Sequence, residues 1–426
     1  MNSRKKTILF IVSCVFSLFL VEREKNEKIV IDFESSYVNW LLDTKKEKKE
    51  PSSVTLLTLD DSEESVIQDW PPSPLDYAVI LNNLKQYDPK LIAIEPSLEF
   101  LGQEEGLIET LRTACLAFNQ QSLLLSAVCQ MDRSIDPTIE KGENFFDIID
   151  SVNGDTTNIP EFTRINSLPN QRFAAMGLPI AFTRIDLADN NNDDEGIYKF
   201  PLIARIGDKI VPSFVLKSIM LDFNIKADQV IINIGDNIKL GNRKTIPIDN
   251  RGHVQIYPAL QEDLSIEKIN LLTVPSDELD GKYKLLLGNR IILIGNNQNS
   301  ESIKNIPFRN NSRISNAEHM ALAISTIQSG LFISEVSKNK EILIWSILIL
   351  IGAMILKSHS LKAFSRIGLL IIIYLSFSML LFQSNGQWAS PIAPLALFIV
   401  MTIFSLVLSE KKSILTQDVC GIRNKY

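Results

Sequence analysis

Acidic and amide side chains that follow predicted β-strands are the residues best suited to bind a ligand. The candidate set has seven members: Asp60, Asp61, Trp70, Glu95, Asn296, Asn297 and His319. Open parallel sheets bind ligands beyond the carboxyl ends of their strands, so this set predicts a small polar or cationic site with an aromatic wall. In the structural alternative the aspartates cap turns, the tryptophan seals a helix against the sheet, and the histidine belongs to the core. An outward-facing His319 would also report external pH, because an imidazole titrates at about pH 6.5.

Other kinds of chemistry find little support in the sequence. The three histidines form no cluster with cysteines at metal-ligand spacing, and no nucleophile-elbow, Walker or dinucleotide-binding motif is present. The acidic stretch 189–196 resembles the first half of a calcium loop. However, Asp194 stands where that loop needs glycine and Phe200 where it needs a bidentate acid, so a solvated turn is favoured. We therefore predict no enzyme activity, no metal and no cofactor.

Apolar runs and helical spacing predict an α/β scaffold for these side chains. Continuous apolar strands separated by helices indicate a mostly parallel sheet with crossover helices. Ser73 as N-cap, Pro74 in the first helical position and Asp76 three residues after the cap predict where the first of these helices begins. The predicted strands are 54–59, 91–94, 122–128, 180–185, 230–234, 254–257 and 290–294, and the predicted helices are 75–87, 107–118, 212–223 and 316–330. Turn-forming residues at about 130–175 predict an irregular insertion.

Apolar segments flank this α/β region on both sides. They are residues 7–21, 342–356, 368–382 and 392–408. Each is shorter than the roughly 20 residues that cross a hydrocarbon core, but flanking residues can make up the difference. We predict four transmembrane helices, one N-terminal and three C-terminal; for a single run of this length the alternative is a buried core helix.

The distribution of basic residues predicts the orientation of these helices. Basic residues precede the first apolar segment at 4–6 and recur in the loop 357–367 and the tail 409–426, whereas the loop 383–394 has neither lysine nor arginine. We expect a multi-pass cell-membrane protein whose two termini are cytoplasmic and whose central domain is extracytoplasmic.

The predicted organisation has five parts. They are a transmembrane anchor, a linker, an extracytoplasmic α/β domain, a three-helix transmembrane module and a cytoplasmic tail, at 1–21, 22–50, 51–336, 340–408 and 409–426. The first part also fits a secretory signal, and residues 11–14 resemble a lipoprotein cleavage box. An uncleaved anchor and a cleaved or lipidated signal both remain open, and both put the central domain outside.

Net charge and cysteine content limit which partners the protein can bind and which disulfides it can form. A formal net charge of −7 argues against nucleic acid as a partner. Four cysteines are too few for a disulfide scaffold. Cys115 and Cys129 fall in the predicted extracytoplasmic domain, where oxidation permits a bridge. Their predicted places, on a helix and on the strand after it, favour two separate thiols, and both states stay open.

The order of short motifs along nearly the whole chain resembles the CHASE2 family of extracellular sensor domains. The most distinctive block is Ile246-Pro-Ile-Asp249 with Gly252 and Ile256-Tyr257. Three transmembrane helices directly after the domain are also a habit of the family. The other matching segments are 60–61, 70–71, 77–78, 84, 90–95, 196–202, 212–213, 290–295, 315–321 and 329–332.

The sequence departs from the family pattern at several positions. Pro74 stands where an arginine is usual, Glu95 where the strand end is normally aspartate, and Ile314-Ser315 where a Pro-Gly turn is usual. Family members commonly continue into a cyclase or kinase domain, and we expect no such output domain here.

The resemblance implies a membrane-bound extracytoplasmic sensor that relays a signal through its transmembrane helices to a separate signalling partner. The implied partners are the lipid bilayer, an unknown extracellular small-molecule or envelope ligand, a separate membrane or cytoplasmic signalling protein, and a second copy of the chain in a homodimer. The alternative function is a structural or accessory membrane subunit that docks cell-envelope partners without sensing a ligand.

Overall fold

The computed structural model describes residues 3–23, 28–44, 53–59, 71–131, 145–187, 199–257, 265–268, 277–296, 306–307, 313–355 and 360–404. The chain divides into two compact units. One comprises Met1–Glu47 with Ile333–Tyr426, and the other comprises Lys48–Phe332. The second unit is the α/β part of the protein, and the first is built mainly from helices.

The helices and strands are numbered in chain order. The helices are α1 (Ser3–Arg23), α2 (Lys28–Thr44), α3 (Pro74–Lys85), α4 (Glu105–Leu116), α5 (Gln171–Ala174), α6 (Phe214–Asp222), α7 (Asp277–Leu287), α8 (Asn316–Ser329), α9 (Lys338–Ile355), α10 (Ser360–Asn385) and α11 (Ile392–Phe404). The strands are β1 (Val54–Leu59), β2 (Leu91–Ile94), β3 (Leu123–Met131), β4 (Val152–Asn153), β5 (Arg164–Ser167), β6 (Ile180–Leu187), β7 (Lys199–Pro201), β8 (Ile203–Ile206), β9 (Lys209–Pro212), β10 (Val230–Asn233), β11 (Asn237–Leu240), β12 (Lys244–Pro247), β13 (His253–Gln255), β14 (Ser265–Lys268), β15 (Ile291–Asn296), β16 (Ile306–Pro307), β17 (Arg313–Ile314), β18 (Ser334–Glu335) and β19 (Gln387–Trp388).

A mostly parallel sheet forms the centre of the α/β unit, as the sequence predicts. Its strands lie in the order β14, β1, β15, β2, β3, with β6 parallel and β5 antiparallel to β3. Every residue of β1 and β2 is buried, which accounts for their continuous apolar sequences. The late strand β15 lies between β1 and β2, so the carboxyl ends of these three strands meet at one edge.

Helix α3 begins where the sequence predicts, because its first turn caps itself. The backbone N–H of Asp76 donates to the hydroxyl of Ser73 at 3.3 Å, and the Asp76 carboxylate accepts from the Ser73 N–H at 2.8 Å. Pro74 occupies the first helical position, where its missing N–H costs nothing. The helix buries Ile80 and Leu81 in the core of the unit.

Helix α8 is almost wholly buried and packs directly on the central strand. It is capped in the same way, by Ser315 and Glu318. A side chain at Gly295 of β15 would place its Cβ only 2.1 Å from the Cβ of Ala317. Glycine is therefore required at the point where α8 crosses β15.

Two predicted strands do not belong to the central sheet. Strand β10 lies in a separate four-stranded sheet, in the order β12, β11, β10, β4, and β13 pairs with β7. Burial alternates along β10, which is typical of a strand with one covered face rather than of a doubly covered parallel strand.

Strand β14 and helix α7 were not predicted, because their polar sequences lack a clear apolar period. The predicted irregular insertion holds only the short elements β4, β5 and α5 within its described residues.

The segment 22–50 was predicted to be a linker, and this is wrong for its middle part. Helix α2 occupies Lys28–Thr44. Val38, Leu41 and Leu42 are buried at the spacing of one helix face, which gives the helix a packing surface despite its charged residues. The lysine-rich stretch 45–50 lies outside the described residues.

The four predicted membrane segments are all helical in their described parts. Leu348, Leu397 and Met401 share a buried cluster with Phe10 and Cys14, so α1, α9 and α11 pack together. Among the described residues, one segment, Ser365–Asn385 of α10, is long and apolar enough to cross a membrane. The apolar stretches Ile8–Val21 and Ile392–Phe404 are shorter, and α9 begins with a charged turn. Four membrane crossings therefore stay a prediction.

We predict that Gly295→Ala destabilises the α/β unit. The added methyl group has no room against Ala317, so the free energy of unfolding should fall by about 1–3 kcal/mol, the usual cost of overpacking. Chemical denaturation of the full chain in detergent, followed by circular dichroism, measures this change. Gly281→Ala in α7 is the matched control, because no atom lies within 4 Å of its added methyl group. Equal losses in the two variants would contradict the packing argument.

Candidate functional site

The carboxyl edge of the central sheet brings together part of the candidate set. Parallel pairing places Leu59 beside Asn296, and the backbone N–H of Glu95 donates to the carbonyl of Ile294 at 2.8 Å. Glu95 and Asn296 therefore end adjacent strands, as the sheet rule predicts. Asp60, Asp61, Trp70 and Asn297 lie outside the described residues, and their place at this edge stays a prediction.

Glu95 is held at the amino end of helix α8. The side-chain amide of Asn316 donates to Glu95 Oε1 at 3.1 Å. Asn316 is the first residue of α8, where the helix dipole favours a negative charge. The half-buried carboxylate is thus fixed by a hydrogen bond and by the field of the helix. Nearby, burial raises the pKa of the Tyr77 phenol, and the charges of Glu95 and Asp76 raise it further.

The loop that follows β2 carries a polar cluster that no sequence motif indicates. Ser167 donates to the Glu99 carboxylate at 2.8 Å, and the hydroxyls of Ser97 and Ser167 are 2.5 Å apart. The N–H of Asn170 donates to the carbonyl of Leu98 at 2.9 Å. These contacts fix the backbone beyond Glu95. The only signal for them was the polar composition of the two loops, which does not reveal that the loops meet.

Asn316 was also missed, although the sequence held a usable signal. It follows the predicted cap Ser315, so its side chain must lie in the first turn of a helix. Sequence spacing does not say which strand that turn approaches. The close approach of Ala317 to Gly295 decides this, and it places the first turn at the ends of β15 and β2.

His319 lies in the core, as the structural alternative proposed. A helix turns by about 100° per residue, so His319 points roughly away from the strand that its neighbour Ala317 approaches. Its ring packs edge-on against Phe200 of β7, with the ring centres 5.1 Å apart. Burial lowers the pKa of His319 to about 4, and its Nε2 has no hydrogen-bond partner among the described residues. The hypothesis of a pH reporter required an outward-facing ring, whereas His319 is buried.

The most distinctive motif block builds a turn. The backbone N–H of Arg251 and that of His253 each donate to Asp249 Oδ1 at 2.9 Å. Lys199 Nζ lies 3.3 Å from Asp249 Oδ2. Burial opposes ionisation of Asp249, but the contacts with His253 and Lys199 outweigh it and hold the pKa of this carboxyl well below its usual range. Gly252 has a φ of +77°, and a Cβ there would lie 2.3 Å from Ile203. The block therefore sets the backbone path between β12 and β13.

A second charged cluster ties three elements together at the other end of β2. The buried carboxylate of Asp222 on α6 lies 2.6 Å from Lys90 Nζ, and it accepts from Gln328 Nε2 of α8 at 2.9 Å. Because its carboxylate is paired on both sides, this cluster has a structural role.

The described cysteines are inert. Cys115 on α4 and Cys129 on β3 are buried and unbridged, and burial raises the pKa of both thiols to about 12. Two separate thiols, the favoured prediction, are confirmed. The described residues also contain no group of three or more His, Cys, Asp or Glu side chains that could hold a metal ion. The calcium-like stretch 189–196 lies outside the described residues.

We predict that His319 makes the unfolding free energy depend on pH. Because its folded pKa of about 4 lies below the unfolded value of 6.5, stability is complete above pH 6.5 and is lost as pH falls toward 4. The loss approaches roughly 3 kcal/mol, since one pKa unit corresponds to about 1.4 kcal/mol. Chemical denaturation of wild type and His319→Leu between these pH values measures it. The titration of carboxylates cancels in the difference, so parallel pH profiles would contradict the assignment.

Comparison with known proteins identifies the family. The sequence matches the CHASE2 domain over residues 9–356, which is more than half of the chain. No curated protein sequence and no solved structure matches it. The matched range contains the central sheet with its Glu95 edge, and it extends into α1 on one side and through α9 on the other. The chain belongs to the CHASE2 domain family, a family of sensor domains.

Proposed function

We propose that this protein is a membrane-bound extracytoplasmic sensor that relays a signal through its transmembrane helices to a separate signalling protein. The observation that carries the proposal is the family match over residues 9–356, because it includes the α/β unit together with apolar helices on both sides of it. Membership of the family supports a sensory role. The membrane location, the direction of the signal and the signalling protein that receives it are our proposals.

The surface of the helical unit supports a place in the membrane. Large apolar side chains are exposed on all four of the helices α1, α9, α10 and α11. In water such a surface would be unfavourable, whereas lipid requires it. The exposed residues include Phe16 and Phe19 of α1, Leu343 and Leu350 of α9, Ile372 and Leu380 of α10, and Leu395 and Ile399 of α11.

The packing inside this unit also suits a bilayer. A Cβ at Gly352 of α9 would lie 2.4 Å from the Met401 side chain of α11 and 3.1 Å from Phe10 of α1. Small residues at such crossings allow membrane helices to approach closely. We propose that α9, α11 and α1 cross the membrane with α10, and that their apolar lengths are completed by flanking residues.

The proposed orientation follows the basic residues. Both termini lie in the cytoplasm, and the α/β unit lies outside the cell. The segment 358–367, which includes the first turns of α10, and the tail 409–426 then form the cytoplasmic surfaces that a signalling protein would contact. A coupling of about 1–3 kcal/mol between ligand and receiver would be ordinary for such a relay.

The carboxyl edge of the central sheet is the proposed input site. Glu95 supplies a fixed negative charge, and Asp60 and Asp61 follow β1, which is separated from β2 only by β15. A small cation or a polar ligand with a cationic group fits this chemistry. The alternative function, an accessory subunit that docks envelope partners, requires no ligand at this edge.

We predict that cysteines on opposite sides of the membrane differ in their labelling. Asp208→Cys introduces a thiol beside Gly207, in the exposed turn between β8 and β9. A membrane-impermeant maleimide should modify it in intact cells, whereas the native Cys420 of the tail should react only after permeabilisation. The buried Cys115 and Cys129 give little background. Labelling of Cys420 in wild-type intact cells would overturn the orientation.

We predict that a small cation stabilises the full chain against heat through the acidic edge. Thermal unfolding in detergent, followed by tryptophan fluorescence, is measured with a panel of metal, alkylammonium and polyamine cations. A ligand at a hundred times its dissociation constant adds about 2.7 kcal/mol, which is a shift of several degrees at most. Asp60→Asn with Glu95→Gln should abolish the shift.

The matched control for this experiment is Glu104→Gln, which removes an exposed carboxylate outside the sheet edge. A shift that survives in the double variant would place the ligand elsewhere. A panel without any effect would favour the accessory-subunit alternative over the sensor.

A further inference from the structure

Helix α2 presents an aromatic stripe on its open side. Phe33 and Trp40 are 45% and 43% exposed, and they lie two helical turns apart on one face. Tyr37 lies between them and stacks on Trp40, with the ring centres 5.7 Å apart. A different face of α2, which carries Val38 and Leu41, is buried. Phe33 and Trp40 thus leave nearly half of their surface uncovered by the described chain, and adjacent exposed rings of this size indicate a partner.

Two side-chain hydrogen bonds fix α2 against the hairpin of α10 and α11. The Tyr37 hydroxyl donates to Ser378 Oγ of α10 at 2.6 Å. Ser390, just before α11, donates to the carboxylate of Glu34. The aromatic stripe is thus attached at a defined height on the apolar helix α10.

That height can be read from α10 itself. Ser378 lies seven residues before Asn385, the end of the segment that is long enough to cross a membrane. At 1.5 Å per residue this is about 10 Å below the end of the segment. Interfacial helices sink their apolar faces about 5–10 Å into the boundary between headgroups and acyl chains. Tryptophan and tyrosine are enriched at the same level.

We propose that α2 is an interfacial helix whose Phe33 and Trp40 rings lie in the lipid headgroup boundary, at the Asn385 end of α10. The occupant of the aromatic face is the phospholipid bilayer. The stripe adjoins α10, whose Leu375 and Phe377 are themselves exposed and apolar, so the lipid-facing surface continues from one helix to the other. This inference rests on the proposed membrane location of α10.

Depth-dependent quenching of a single tryptophan tests the proposal. The full chain with Trp70, Trp345 and Trp388 changed to Phe retains Trp40 alone, and it is reconstituted in phosphatidylcholine vesicles. The lipids carry bromine either near the headgroup or near the end of the acyl chain. Trp40 should lose most of its fluorescence with shallow bromine and less with deep bromine. Aqueous iodide should quench it weakly.

A second variant separates this inference from the proposed function. Retaining only Trp345, which lies on the apolar helix α9, reports whether the helical unit is in the bilayer at all. If brominated lipid quenches Trp345 while only iodide quenches Trp40, the proposal of an interfacial helix is wrong and the membrane location stands. Protection of Trp40 from both quenchers would mean that a protein surface covers it, which also overturns the proposal. If lipid quenches neither residue, the membrane location itself fails.

Discussion

The close approach of helix α8 to strand β15 is the contact on which the candidate site depends. Only glycine at position 295 allows Ala317 to reach the backbone of the strand. Once Ala317 is there, Asn316 must lie at the end of β2, and its amide meets Glu95. The same crossing turns His319 away from the edge and into the core. One missing side chain thus decides which polar residues of α8 reach the carboxyl edge of the sheet and which do not.

Local signals in the sequence predicted the local structure well. The start of α3 was predictable because Ser73, Pro74 and Asp76 satisfy the backbone groups of one turn without help from the rest of the fold. The bounds of β1 and β2 were predictable because both faces of these strands are covered, which leaves a continuous apolar run. The grouping of Glu95 with Asn296 followed from a general rule for parallel sheets, and it needed no knowledge of their contacts.

Long-range relations could not be predicted in the same way. Strand β10 has the composition of a central strand, and only its alternating burial reveals a different sheet. The face that His319 presents depends on which side of α8 meets the sheet, and helical spacing alone does not carry that information. Helix α2 was missed because its apolar residues are interspersed with charged ones, and because the hydrogen bonds that hold it come from the distant hairpin of α10 and α11.

The position of β15 has a consequence for how the protein is made. Strands β1 and β2 are synthesised early, yet neither pairs with the other, because the strand that joins them begins at Ile291. Until that part of the chain arrives, the facing edges of both strands are open to pairing with other chains. Folding of the α/β unit must therefore wait for a contact between distant parts of the chain, and such non-local closure is slow.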